Sequence, residues 1–153
     1  MLLWRLSGQQ HAEAFDGGYG LLFDGRWNTV GHAVTYCATS PSLCVLEKLV
    51  HIEDPALLPD LVMITYDAPD DIGIDTIALA DLPTDWRRDE TRTQQIGDAW
   101  HHTLGSPLLW VPSAIVPLPG SPDVNVLINH HHPASATITL QRTEPFTLDT
   151  RLL

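Results

Sequence analysis

The chain has 153 residues, 44% hydrophobic and 18% charged, the balance of a folded protein and not of a disordered one. Its net charge of −11, from 8 Lys and Arg against 19 Asp and Glu, argues against nucleic-acid binding, which depends on neutralising phosphates. No apolar run approaches the roughly 20 residues of a membrane helix, so neither a nucleic acid nor a membrane is an expected partner.

The length suggests one domain over residues 1–153, able to bury about two-thirds of its unfolded surface. Residues 2–6 (LLWRL) predict a first strand. The opening MLLWRLSGQQ lacks the basic start, apolar stretch and cleavage site of a secretory signal, so a cytoplasmic protein is expected. Residues 33–38 (AVTYCA) predict a second strand. Residues 41–51 predict a helix, with Ser40 as N-cap and Pro41 at its first position. Residues 61–67 (LVMITYD) form the clearest strand, and 91–104 a second helix ended by Gly105, with Gly97 as a weak point inside it. Residues 108–119 predict two short strands bent at Pro112, and 124–129 and 136–141 two more. Cys37 and Cys44 have neither a disulfide framework nor redox or zinc spacing around them, which suits a reducing compartment. The sum is an α+β domain dominated by short strands.

Four groups of residues could carry chemistry. On the first long helix, taking Leu43 as zero, Val45, Leu46, Leu49 and Val50 fall between about 200° and 340° and complete an apolar arc with it. Glu47 lies at about 40°, at the edge of that arc, with His51 one turn on. Taken alone, this is better read as a solvated polar face. The GRWN turn offers Arg26, a planar fork of donors for phosphate or carboxylate, between the conformationally free Gly25 and the turn residue Asn28. Alone it is a hairpin-like turn with an exposed arginine. Ser113 lacks a G-x-S-x-G elbow and reads as a bend more readily than as a nucleophile. The His130–His132 run and the His101–His102 pair lack metal-ligand spacing, so no metal is expected.

Five segments in order resemble the RES domain, named for Arg, Glu and Ser motifs and found as the toxin of Xre–RES toxin–antitoxin pairs. They are LWRL; the run from GGYGLLFDGRWN through the Tyr36 strand to Glu47; TQQIGDAWHH; LLWVPSAIVP; and NVLINHHHP. The family commonly has N-P where this chain has Asn129–His130, and the acidic stretch over residues 68–86 matches no motif. The resemblance implies an ADP-ribosyltransferase-like fold, with two small, mainly antiparallel sheets forming a cleft for NAD+. It implies an enzyme that consumes NAD+ as substrate, with ADP-ribose passing to a protein of nucleotide metabolism, to water or to phosphate. It also implies a helix-turn-helix antitoxin of Xre type covering the cleft.

On that reading Arg5 and Arg26 bind the pyrophosphate. Tyr36 stacks on nicotinamide and Glu47 stabilises the ribosyl cation. Ser113 positions the ligand without becoming covalent, and His51 orients Glu47 or touches the acceptor. Asn28, Ser40 and Asn129 make supporting contacts. The alternative is a non-catalytic nucleotide-binding or protein-interaction module. It would be marked by loss of Arg26 or Glu47, and both are present.

Overall fold

A computed structural model describes residues 1–153. Seven strands form one sheet: β1 (Leu2–Gly8), β2 (Val34–Ala38), β3 (Leu61–Asp67), β4 (Ile74–Thr76), β5 (Leu108–Pro112), β6 (Val124–Asn129) and β7 (Thr139–Phe146). Their order is β4-β5-β6-β2-β1-β3-β7, and all neighbours are antiparallel except β4 and β5. The helices are α1 (Gly18–Leu22), α2 (Pro41–Leu49) and α3 (Glu90–Thr103).

The α+β class with few helices is as expected, but the strands make one sheet and not two. The reason lies at a seam. β1 and β3 run in register from Leu2↔Asp67 to Gly8↔Leu61, and β2 and β6 from Val34↔Asn129 to Ala38↔Asn125. Between these halves, β1 and β2 share the single pair Trp4↔Ala38. Helix α2 packs on both strands and covers this join.

Alternation along the strands divides the core into two faces. The rear face holds Leu3, Cys37, Ile64, Tyr66, Leu108, Val126 and Ile128. The front face holds Val34, Leu109, Val111 and Leu127 under Trp27, Trp86 and Trp100. Past the seam it continues as Ala38 and Met63 under Leu43 and Cys44 of α2.

Several predicted boundaries shift for local reasons. Residues 113–119 form no second strand, because Ser113 Oγ accepts from the amides of Ile115 (3.0 Å) and Val116 (3.3 Å) and closes a turn. The strand predicted at 136–141 begins at Thr139, since residues Pro133–Thr137 form a short 3-10 helix capped by His132. α3 starts at the Asp89 cap, and the left-handed residue beyond it is Leu104 (φ 54°), not Gly105. α2 is capped by Ser40 as predicted but ends at Leu49. α1 and β4 had no recognisable pattern in the sequence.

On the rear face, the His130 ring nitrogen lies 2.7 Å from Thr35 Oγ1, and its ring meets Phe15 edge-on at 4.8 Å. Burial lowers its pKa to about 4. His130 is therefore neutral in the folded chain, while the unfolded chain takes up a proton there below about pH 6.5. Its contribution to stability is complete above that pH and falls away as pH drops toward 4. Unfolding free energy should fall by about 1–2 kcal/mol between pH 7 and 5 from this group. Denaturant titrations at the two pH values should show a smaller drop in His130→Gln; an equal drop in both proteins would remove His130 as the cause.

Candidate functional site

The GRWN turn is built against α3. Gly25 N donates to Asn28 O at 2.9 Å, pinching the turn shut. Thr93 Oγ1 donates to Arg26 O (2.6 Å) and Gln94 Nε2 to Gly25 O (2.9 Å). One turn later, Asp98 accepts from Thr29 N (3.0 Å) and Thr29 Oγ1 (2.6 Å). Between them Gly97 lies so close to the turn that a Cβ would stand 1.7 Å from Trp27 O. The glycine that weakens α3 as a helix thus permits backbone-to-backbone contact with the turn.

Tyr36 of β2 meets the turn from the sheet. Its hydroxyl donates to Asn28 Oδ1 (2.7 Å) and accepts from Trp27 N (3.1 Å). Burial raises its pKa, so the phenol stays protonated as that donor. Gly25 is required here too, since a Cβ would lie 2.5 Å from the Tyr36 hydroxyl. Asn28 donates in turn to the carbonyls of Phe23 and Thr29, both at 3.1 Å. Asn28 is 2% exposed, so its work is to lock the turn and hold Tyr36.

Glu47 sits at the seam. Its Oε1 accepts from Asn125 Nδ2 (2.7 Å) and Ser113 Oγ (3.3 Å). Ser113 spends both oxygen lone pairs on the Ile115 and Val116 amides, so its single proton points at the carboxylate. That is a fixed donor, not a free nucleophile. Both bonds fall on one carboxylate oxygen, and Oε2 makes none. Asn125 pairs with Ala38 and Val111, while Tyr36 pairs with Leu127 on the same front face. Tyr36 therefore lies one row along from the Glu47 cluster. Burial raises the Cys44 thiol to about 12, leaving no thiolate beside Glu47 at neutral pH.

The RES domain family matches residues 2–149. The chain belongs to that family. Its sequence is 36% identical to "Toxin Res" of Photorhabdus laumondii, over 100% of this chain and 97% of that protein. It is 29% identical to the "Prs ADP-ribosylating toxin" of a Sphingobium species, over 98% of this chain and 95% of that one. The fold matches a chain of the M. tuberculosis MbcT–MbcA toxin–antitoxin complex with a TM-score of 0.71 at 19% identity. That match covers 95% of this chain and 84% of the other.

In this RES domain the front face gathers Glu47, Ser113 and Tyr36, with Arg26 and Asn28 on the turn beside them. Four other expected residues stand elsewhere. Arg5 alternates with Trp4 and Leu6, which pack on the front, and so points to the rear. There it donates to His11 O (2.8 Å) and Ala14 O (3.1 Å), holding the loop after β1. Arg5 is not a partner of Arg26. His51 lies beyond the end of α2, exposed and without a side-chain hydrogen bond. Asn129 is completely buried at the other end of β6, where it donates to His101 O (3.0 Å) and accepts from His131 N (2.9 Å). Ser40 caps α2 and donates to Asp123 Oδ1 (2.7 Å).

Asn125 is the residue the sequence reading missed. It stands in the same NVLIN strand as Asn129, four residues earlier, and only the register shows which asparagine faces the carboxylate. No group of three His, Cys, Asp or Glu side chains is arranged to hold a metal ion. A cavity of about 500 Å³ beside the site, between residues 76–80 and 116–124, includes Ser113 but not Glu47, Tyr36 or Arg26.

Proposed function

We propose that this RES domain is the toxin of a toxin–antitoxin pair and cleaves the nicotinamide–ribose bond of NAD+. The observation that carries the reading is the Glu47 carboxylate, tethered through Oε1 by Asn125 and Ser113 with Oε2 left for a ligand. Cleavage of that bond builds positive charge on the ribose, and a fixed carboxylate stabilises such charge without reorganising. Nicotinamide leaves as a neutral ring from a cationic one, so no strong general acid is required. Tyr36, held by Asn28 and Trp27, is the aromatic surface for the ring. The name of the Sphingobium relative supports ADP-ribose transfer, here to a protein of nucleotide metabolism, with water or phosphate as the other acceptors.

The reading also takes the site to work in the cytoplasm under control of a helix-turn-helix antitoxin of Xre type. The toxin–antitoxin complex with a similar fold supports an antitoxin partner. Exposed apolar residues beside the turn, Tyr19, Leu22, Phe23 and Val30, are surface for it to cover.

The test is incubation of the purified protein with NAD+ and cell lysate, following free nicotinamide and labelled ADP-ribose together. Nicotinamide release with a labelled protein band means transfer. Release without one means that water or phosphate is the acceptor. No release rejects the enzyme. Asn125→Ala should lower kcat about tenfold or more with little change in KM, because the carboxylate loses its shorter tether. Unchanged steady-state kinetics would show that Ser113 alone positions Glu47.

A further inference from the structure

The proposed ligand carries a pyrophosphate, and a chain of charge −11 must hold it with local cations. Arg5 is on the rear face, and Arg142 and Arg151 are paired with Glu144 and Asp149. Arg26 is near the site but heavily engaged. Its Nη1 donates to Trp86 O (3.2 Å) and Arg87 O (3.3 Å), its Nη2 faces Glu90 at 3.7 Å, and its Cζ lies over the Trp86 ring, 5.6 Å from the ring centre.

Those bonds fix the backbone that presents Arg87. Residues 83–89 are also pinned from within, by Trp86 N to Pro83 O (3.1 Å), Arg88 N to Asp85 O (2.8 Å) and the burial of Trp86. Arg87 Nε donates to Ala114 O at 2.9 Å. Ala114 follows Ser113, whose hydroxyl points at Glu47, so this contact brings Arg87 to the edge of the catalytic cluster. Its two terminal amino groups make no hydrogen bond or ion pair, leaving the outer edge of the guanidinium for a ligand. Together with Thr84, Asp85 and Arg88, Arg87 lines a hollow of about 280 Å³.

We infer that Arg87 grips the pyrophosphate of the dinucleotide and that Arg26 is the brace holding it in place. This rests on the NAD+ reading of the site. The guanidinium is tied through Nε and backed by a pinned turn, so little rotamer freedom is lost when it takes an anion. The GRWN motif then acts on the ligand partly through the residues it anchors.

The test uses Glu47→Gln protein, whose expected slow turnover preserves substrate during a titration, titrated calorimetrically with NAD+ and with nicotinamide riboside, which has no phosphate. Adding Arg87→Gln should weaken NAD+ binding about 10- to 100-fold and leave the riboside and the melting temperature unchanged. Arg142→Gln, on the far edge strand, controls for net charge and should change neither. Equal NAD+ affinity with and without Arg87 would overturn the inference while leaving the NAD+ site standing. An equal loss for the riboside would also overturn it. If the parent protein binds no NAD+, the reading of the site fails and the inference falls with it.

Discussion

Glu47→Gln is expected to leave the fold intact and to slow NAD+ cleavage by about 10²- to 10³-fold or more. The variant keeps an oxygen where Oε1 stands, because Asn125 Nδ2 and Ser113 Oγ are both donors and select the amide oxygen. The amide NH2 must then occupy the place of Oε2. A group that stabilised positive charge on the ribose becomes one that opposes it, with almost no change in shape. Thermal melting should be unaltered while nicotinamide release is lost. Wild-type turnover in this variant would remove Glu47 from the chemistry.

Gly97→Ala should have the largest effect on the fold. The added methyl would meet Trp27 O at 1.7 Å and Trp27 C at 2.8 Å, both backbone atoms that cannot swing aside. Helix and turn must separate, straining the bonds from Thr93, Gln94 and Asp98 that shape GRWN. A loss of about 3–5 kcal/mol and a melting point lower by roughly 10 °C or more are expected. Gly31→Ala is the contrast. Gly31 has φ +98° but nothing within 4 Å of a Cβ, so it should cost only about 1 kcal/mol, from the backbone alone. Equal melting points for the two variants would show that close packing of α3 on the turn is not what holds the site.

Strand patterns were legible wherever side chains alternate between two buried faces, as in β3 and β6. The helix caps at Ser40 and Pro41 were legible because they are local chemistry. The face of α2 was not. Its apolar arc through Leu46 and Val50 suggested the buried side, yet those residues are 38% and 61% exposed. The side turned inward is that of Leu43 and Cys44, which carries Glu47 between them on the wheel. A helix can turn a carboxylate inward when donors wait for it, and the donors come from residues 113 and 125, far along the chain.

Arg5 and Asn129 stand away from the Glu47 cluster for a related reason. Each has a side chain suited to a ligand, but strand parity sends Arg5 to the rear, and burial turns Asn129 into a clamp on the end of α3. Arg87 directly follows the acidic stretch over residues 68–86 and belongs to no motif, and its value comes from Arg26 and Ala114, two contacts distant in sequence.

The proposed work of this front-face cluster is to break the nicotinamide–ribose bond. Purified wild-type protein should be incubated with NAD+ carrying a labelled nicotinamide ring, beside Glu47→Gln at the same concentration. Free labelled nicotinamide is expected to accumulate in step with NAD+ loss in the wild type, with little or none in the variant. Intact NAD+ in both samples, or equal release from both, would contradict it.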